Sequence, residues 1–293
     1  MHGIKTIGVV GAGTMGRGVA ELAATKGFEV IVMDNSPAAL QQAPRLIDVA
    51  LSHQLEKWAI TEAEMRVIRG RIRFTEHVAD LVGADLVVEC IVEDLGAKRE
   101  LFRTLDQVCR KEVILATNTS TLSVTEMAAA TYRADRCIGL HFLQPVTRTR
   151  VVEVVRGLRT SNDTVATCMA LLEDLDKVGV EVYESPGYIT TRLIVPLIND
   201  AANLVMEGVA TAEAVDTAMR LGFHMERGPL EMGDRTGLDT LLVMLERLWQ
   251  EYGDPRYRPS PYLRKLVRAG QTGVEAGQGF FRYDANGNRI PEK

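Results

Sequence analysis

Two residues of the 293-residue chain have the types and spacing to move a proton. His141 lies in the apolar run "IGLHFLQPV", and Glu153 lies in the next one, "RVVEVV". Imidazole titrates near neutral pH, so a histidine pointed into a strand end is a candidate general acid or base. A hairpin-like return of the second run would set Glu153 beside His141, where a carboxylate could orient the ring and stabilise its protonated form. Of the other histidines, His2 is terminal, and His53, His77 and His224 fall in helical or loop stretches without an acid on an adjoining strand. Residue types alone leave two readings open: a proton-transfer dyad, or a core histidine satisfied by a neighbour.

A second set of residues could hold a dinucleotide. Gly11-Ala12-Gly13-Thr14-Met15-Gly16 follows a β-rich run and opens a helical one, the context that a phosphate-binding glycine turn requires. Gly11 allows the tight turn, Gly13 lets the backbone approach a pyrophosphate, and Gly16 lets helix and sheet pack closely. The helix start offers N–H groups and the positive end of its dipole. Asp34 ends the next strand, 18 residues after Gly16, with no lysine or arginine beside it. An acid there takes ribose hydroxyls and repels a 2′-phosphate, which favours NAD over NADP. The alternative is a purely structural glycine turn.

These groups need a sheet to position them. Strand and helix signals alternate from "KTIGVVGAG" to "VEVYESPG", predicting a Rossmann-type α/β domain, its mainly parallel sheet covered by helices on both faces. A long helical region is expected from Pro37 to about Arg69. Ser185-Pro186-Gly187 breaks the pattern, and almost no strand signal follows. Four helices are expected after it, in "YITTRLIVPLINDAANLVMEG", "TAEAVDTAMRLG", "TGLDTLLVMLERLWQEYG" and "PYLRKLVRAGQ", with a kink at Pro196. The domains are therefore placed at 1–186, dinucleotide-binding, and 187–293, all-helical. Two helices of the second half are apolar beyond the need of a one-sided surface helix, which favours a homodimer over a self-contained core.

Composition sets limits on partners. With 46% hydrophobic residues, 25% charged and a net charge of −5, the chain is globular and has no electrostatic footprint for nucleic acid or an anionic membrane. No stretch reaches the ~18 apolar residues of a membrane span. Cys90, Cys109, Cys137 and Cys168 have neither metal-ligand nor redox spacing, and read as small buried hydrophobes in a reducing cytosol. Strand-like sequence from Ile4 leaves no room for a signal peptide. A cytoplasmic protein is expected.

In combination, "GVVGAGTMG", "VVECIVED", "ATNTSTL", "GLHFLQP", "VVEVV", "SPGYITTRLIVPLINDA" and "GQGFFRY" resemble the L-3-hydroxyacyl-CoA dehydrogenase family, of the short bacterial 3-hydroxybutyryl-CoA type, over nearly the whole chain. The resemblance implies NAD-dependent oxidation of a (3S)-3-hydroxyacyl-CoA, with His141 as general base and Glu153 as its partner. It implies that Ser120 hydrogen-bonds the substrate oxygen and touches cofactor. Glu93 and Lys98 would contact the nicotinamide-side ribose, and Lys57 the CoA moiety. By type alone, both lysines would be solvated surface charges.

Three positions depart from the family pattern. Gln144 replaces an asparagine that helps to hold the nicotinamide, adding a methylene to the amide's reach. Thr191, in "PGYITTR", replaces an active-site asparagine and keeps one donor and one acceptor on a shorter arm. Glu275, in "VEAGQG", replaces a cofactor-side lysine. These departures leave room for another 3-hydroxy acid as substrate: a carrier-protein thioester, a sugar acid such as gulonate, or carnitine. A non-catalytic NAD(H)-binding protein is the alternative from a different class; the retained His141, Glu153 and Ser120 argue against it.

Overall fold

The computed structural model describes residues 3–291; His2 and the last residues of the polar tail lie outside that range. The chain forms two compact units, one ending at Ser185 and the other beginning at Pro186.

In the first unit the elements run β1 (Thr6–Val10), α1 (Thr14–Thr25), β2 (Glu29–Met33), α2 (Pro37–Glu56), α3 (Glu62–Gly70), β3 (Ile72–Thr75), β4 (Leu86–Glu89), α4 (Leu95–Val108), β5 (Ile114–Thr117), α5 (Val124–Ala128), β6 (Cys137–Phe142), β7 (Val151–Arg156), α6 (Asn162–Asp174) and β8 (Val178–Tyr183). The eight strands form one sheet in the order β3-β2-β1-β4-β5-β6-β7-β8. Every neighbouring pair is parallel except β6 and β7. The segment between those two strands holds no helix, so it makes a return rather than the crossover that parallel pairing needs. Strand order reverses between β1 and β4, the kind of switch point where α/β sheets bind ligands beyond their carboxyl ends.

The strands β4, β5 and β6 are buried at every position. Apolar clusters cover both faces, one built around Val9, Val30, Val88 and Leu140, the other around Leu81, Phe102, Leu115 and Met127. Continuous apolar strands are what such burial selects. The polar exceptions are Glu89, Thr117 and His141, each last or next to last in its strand. The buried polar side chains of these three strands are thus confined to the carboxyl edge.

The structure corrects the long helix expected from Pro37 to about Arg69. That region is two helices separated at residues 57–61. Trp58 adopts a left-handed φ of 57°, and Thr61 starts α3 afresh with a capping box. The Thr61 hydroxyl accepts from the Glu64 N–H at 3.2 Å, and the Glu64 carboxylate accepts from the Thr61 N–H at 2.7 Å. The short edge strand β3 and the one-and-a-half-turn α5 were also not anticipated.

The second unit contains α7 (Thr190–Met206), α8 (Ala212–Phe223), α9 (Pro229–Thr236), α10 (Leu238–Tyr252), α11 (Pro261–Arg268) and a two-residue hairpin of β9 (Arg282–Tyr283) and β10 (Arg289–Ile290). Pro196 lies inside α7, which runs through it without interruption. The helix α9 was not expected. Its start is capped from a distance, because Asp216 on α8 accepts from the N–H groups of Leu230 and Glu231, each at 2.9 Å. Asp234, 1% exposed, ties α9 to the chain's end: its carboxylate accepts from the N–H groups of Phe280 (2.8 Å) and Phe281 (2.9 Å) and from the Tyr283 hydroxyl (2.9 Å). No helix among the described residues is long and apolar enough to cross a membrane.

Candidate active site

Antiparallel pairing sets His141 on β6 directly opposite Glu153 on β7. Directly paired residues project to the same face, and the imidazole Nδ1 lies 2.6 Å from a Glu153 carboxylate oxygen. Glu153 is 1% exposed and His141 6%. A carboxylate this buried needs a partner. Here it accepts from Nδ1–H, which fixes the ring's plane and tautomer.

The β6–β7 connection, which carries Gln144, is braced from two sides. Lys177, 6% exposed, donates to the carbonyls of Val146 and Thr149, each at 2.7 Å. Gly18 on α1 lets Val146 approach, since a Cβ at Gly18 would lie 2.9 Å from it. Gln144 itself is exposed, three residues past His141.

The glycine turn joins β1 to α1, and its three glycines answer to different demands. Gly11 has φ +105°, and a Cβ there would lie 2.5 Å from the Cys90 carbonyl oxygen. A Cβ at Gly16 would lie 1.8 Å from the Gly11 carbonyl oxygen. The chain's own packing therefore requires both. Gly13 is different: beyond its chain neighbours, no protein atom lies within 4 Å of where its Cβ would be. Its bare backbone is available to a ligand.

Two further features fit a dinucleotide. The other five α-helices of this unit begin at a residue whose side chain caps them: Ser36, Thr61, Asp94, Ser123 and Ser161. The start of α1 has no side-chain cap and no acid in its first turn, which suits a phosphate. Asp34 accepts from the Ala12 N–H at 2.7 Å with one oxygen and from the Ser36 N–H at 2.8 Å with the other. Each oxygen keeps a second lone pair for a ribose hydroxyl. The fingerprint, helix end and acid together could hold a dinucleotide.

Glu93, Lys98 and Ser120 come together in a network that the sequence outlined only in part. Lys98, read by type as a solvated lysine, is 1% exposed. Its ammonium lies 2.6 Å from Glu89 and 3.2 Å from Glu93. Burial would lower its pKa, but the Glu89 carboxylate and then that of Glu93 outweigh it and hold the ammonium above the ordinary lysine range. Glu93 also accepts from the Ser120 N–H at 3.2 Å and from the Thr119 hydroxyl. Asn118 links this turn to the strand bearing His141: its N–H donates to the Glu89 carbonyl at 2.9 Å, and its side-chain oxygen accepts from the Phe142 N–H at 2.8 Å. Sequence reasoning passed over Glu89, Thr117 and Asn118; the available signal was a polar residue closing an apolar strand.

Three predicted positions remain. Lys57 is exposed just past the end of α2. In the second unit, Thr191 is buried in the first turn of α7, and Glu275 is exposed in the turn before β9.

The family model for the 3-hydroxyacyl-CoA dehydrogenase NAD-binding domain matches residues 6–185, and that for the 3-hydroxyacyl-CoA dehydrogenase C-terminal domain matches residues 187–283. A probable 3-hydroxybutyryl-CoA dehydrogenase of Bacillus subtilis is 44% identical, covering 96% of this chain and 98% of its own. Among solved structures, (S)-3-hydroxybutyryl-CoA dehydrogenase PaaH1 from Ralstonia eutropha matches with a TM-score of 0.90 at 40% identity, covering 96% of this chain and 99% of its own. FadB2 of M. tuberculosis matches with a TM-score of 0.94 at 37% identity and the same coverage.

Proposed function

The chain belongs to the 3-hydroxyacyl-CoA dehydrogenase family and is an NAD-dependent oxidoreductase; from that premise we propose that it oxidises a short (3S)-3-hydroxyacyl-CoA of the 3-hydroxybutyryl-CoA kind, with His141 as its general base. The observation that carries the base assignment is the buried pair of His141 with Glu153 at the carboxyl edge of the sheet. The names of the relatives above support the chain length.

NAD supplies the hydride acceptor. With NAD bound to accept the hydride from C3, His141 Nε2 would take the 3-hydroxyl proton, leaving a ketone at C3. Glu153, bonded to Nδ1, stabilises the imidazolium that results. In the reverse direction the imidazolium returns its proton to the same oxygen. Ser120 donates a hydrogen bond to the reacting oxygen. Glu93 and Lys98 would hold the nicotinamide-side ribose, Asp34 the adenosine ribose, and the backbone at Gly11, Gly13, Thr14, Met15 and Gly16 the pyrophosphate. By the family resemblance, Gln144 would help to hold the nicotinamide, Thr191 would have a catalytic role, and Lys57 would contact the CoA moiety.

A homodimer formed through the second unit belongs to this reading. Exposed apolar side chains there include Leu193, Leu221 and Phe223, which are 65–73% exposed and would gain from a partner surface. The four cysteines are free thiols, which suits the reducing cytoplasm expected from the sequence.

A panel of NAD-linked assays tests the proposal. Turnover is expected to be fastest with 3-hydroxybutyryl-CoA, ahead of longer acyl-CoA, carrier-protein thioesters, gulonate and carnitine. Gln144, Thr191 and Glu275 make the comparison informative. Turnover of a non-CoA hydroxy acid with none of any CoA thioester would overturn the substrate assignment.

A further inference from the structure

The carboxylate of Glu89 is buried completely at the end of β4. One oxygen accepts from the Lys98 ammonium at 2.6 Å and from the Ile91 N–H at 2.7 Å; the other accepts from the Thr117 hydroxyl at 2.6 Å. In the sheet Glu89 pairs with Val10 on one side and Thr117 on the other. It therefore stands beside the glycine turn, at the root of the turn that bears Ser120.

We infer that Glu89 is a positioning residue for the cofactor site, holding Lys98 and, through it, the Glu93 carboxylate and the Ser120 turn. The inference rests on the reading that Glu93, Lys98 and Ser120 face the nicotinamide half of the cofactor.

Three observations separate this role from simple stabilisation of the fold. First, a buried ion pair is weak evidence for stability, because apolar residues of similar volume usually serve a core as well or better. Second, the ammonium serves its own helix poorly. Lys98 is the fourth residue of α4, near the positive end of the dipole, where an acid would be favoured. Third, the contacts close into a circuit. Thr117 bonds Glu89, Glu89 bonds Lys98, Lys98 bonds Glu93, and Glu93 bonds Thr119 and the Ser120 N–H, which returns to the segment where the circuit began. With Glu89 in place, the ammonium is shared between two carboxylates, and Glu93 keeps one oxygen for the Ser120 turn. Without the Glu89 charge, Lys98 would be drawn wholly to Glu93 and would pull it from that turn.

The test compares Glu89→Gln, Thr117→Val and Glu93→Gln with the wild-type protein by NADH fluorescence titration and by calorimetric titration with ADP. ADP reports the half of the cofactor held by the glycine turn and Asp34. Glu89→Gln is expected to raise the NADH Kd by about tenfold or more, the scale of a lost bond to a charged group, with ADP affinity held within about twofold. Combining Glu89→Gln with Glu93→Gln is expected to weaken NADH no further than Glu93→Gln alone, because coupled residues do not add. If Glu89→Gln fails to fold, Thr117→Val carries the test, with a weaker loss of the same pattern expected. Unchanged NADH affinity in the variant that folds, or equal loss of NADH and ADP, would overturn the inference. Unchanged NADH affinity in Glu93→Gln would overturn the underlying reading of the site instead, and the inference with it.

Discussion

His141 and Glu153 face each other across one register position of an antiparallel strand pair, with 2.6 Å between Nδ1 and the carboxylate. The pairing fixes both side chains on one face of the sheet, so the imidazole is oriented by backbone geometry as well as by its hydrogen bond. In the proposed reaction the base would need its partner for aim and for charge. Glu153→Gln is expected to lower kcat about a hundredfold or more, and His141→Ala about 10²–10⁴-fold, while for His141→Ala the NADH Kd changes little and the melting temperature falls, because the buried Glu153 carboxylate loses its bond to the ring. Steady-state assays with 3-hydroxybutyryl-CoA, paired with NADH titrations, measure both. Retention of near wild-type kcat by His141→Ala would remove the histidine from the mechanism.

The glycine turn yields a separation of stability from binding. An alanine Cβ at position 16 would meet the Gly11 carbonyl oxygen at 1.8 Å, whereas one at position 13 meets no protein atom within 4 Å beyond its chain neighbours. Gly13 also has φ −70° and ψ −170°, a conformation open to alanine. Gly16→Ala should therefore cost ~3 kcal/mol or more, or abolish folding. Gly13→Ala should fold with unchanged or slightly raised stability, by up to ~1 kcal/mol, yet bind NADH at least tenfold more weakly, because its methyl occupies the pyrophosphate's approach. Thermal melts and NADH titrations of the two variants decide this. A Gly13→Ala variant with normal NADH affinity would place the cofactor elsewhere.

The dyad and the turn were legible because each leaves a local trace: an acid and a histidine in neighbouring apolar runs, and three glycines between a strand and a helix. What stayed illegible depends on distant partners. Lys98 looks like a helix-surface lysine until Glu89, nine residues away, is seen to bury it. The helix α9 begins where Asp216, on another helix, caps it, so its local sequence of Gly228-Pro229 reads as a break. The division of the Pro37–Arg69 helical region was in principle readable. Thr61 and Glu64 are spaced as a capping box, but the continuous helical pattern on either side masks it. Glu89 was readable as well, as an acid ending "LVVE", yet an acid at a strand end looks the same whether it faces a cofactor or holds a lysine.

Asp34, proposed to meet the adenosine ribose, is itself held by the protein. Its two oxygens each take one backbone N–H, from Ala12 and Ser36. Asparagine can keep only one of those bonds, since its NH₂ group would face the other donor. Asp34→Asn is expected to lose ~1 kcal/mol of stability, to bind NAD about tenfold more weakly, and to discriminate less against NADP because the repelling charge is gone. The ratio of kcat/KM for the two cofactors measures the last effect. A ratio equal to that of the wild type would show that Asp34 does not meet the adenosine ribose.

Asp234 provides a test that is independent of catalysis. Burial pushes its carboxyl up to about 6 from an ordinary 3.8, against the pull of N–H groups from Phe280 and Phe281 and the hydroxyl of Tyr283. A folded-state value above the unfolded one means that the folded form binds the proton more tightly. The contribution from this group is therefore fully present below about pH 4 and is lost as pH rises through about 6, an effect of at most ~3 kcal/mol. Asp234→Asn cannot titrate and loses acceptor capacity toward three donors, so it should be less stable than the wild type throughout. The gap should narrow as pH rises from 4 to about 7, because only the wild type forfeits a bound proton. Denaturant melts of both proteins across that range read the gap directly. A gap that widens with pH would mean that the three donors outweigh burial and that Asp234 is held ionised in the folded unit.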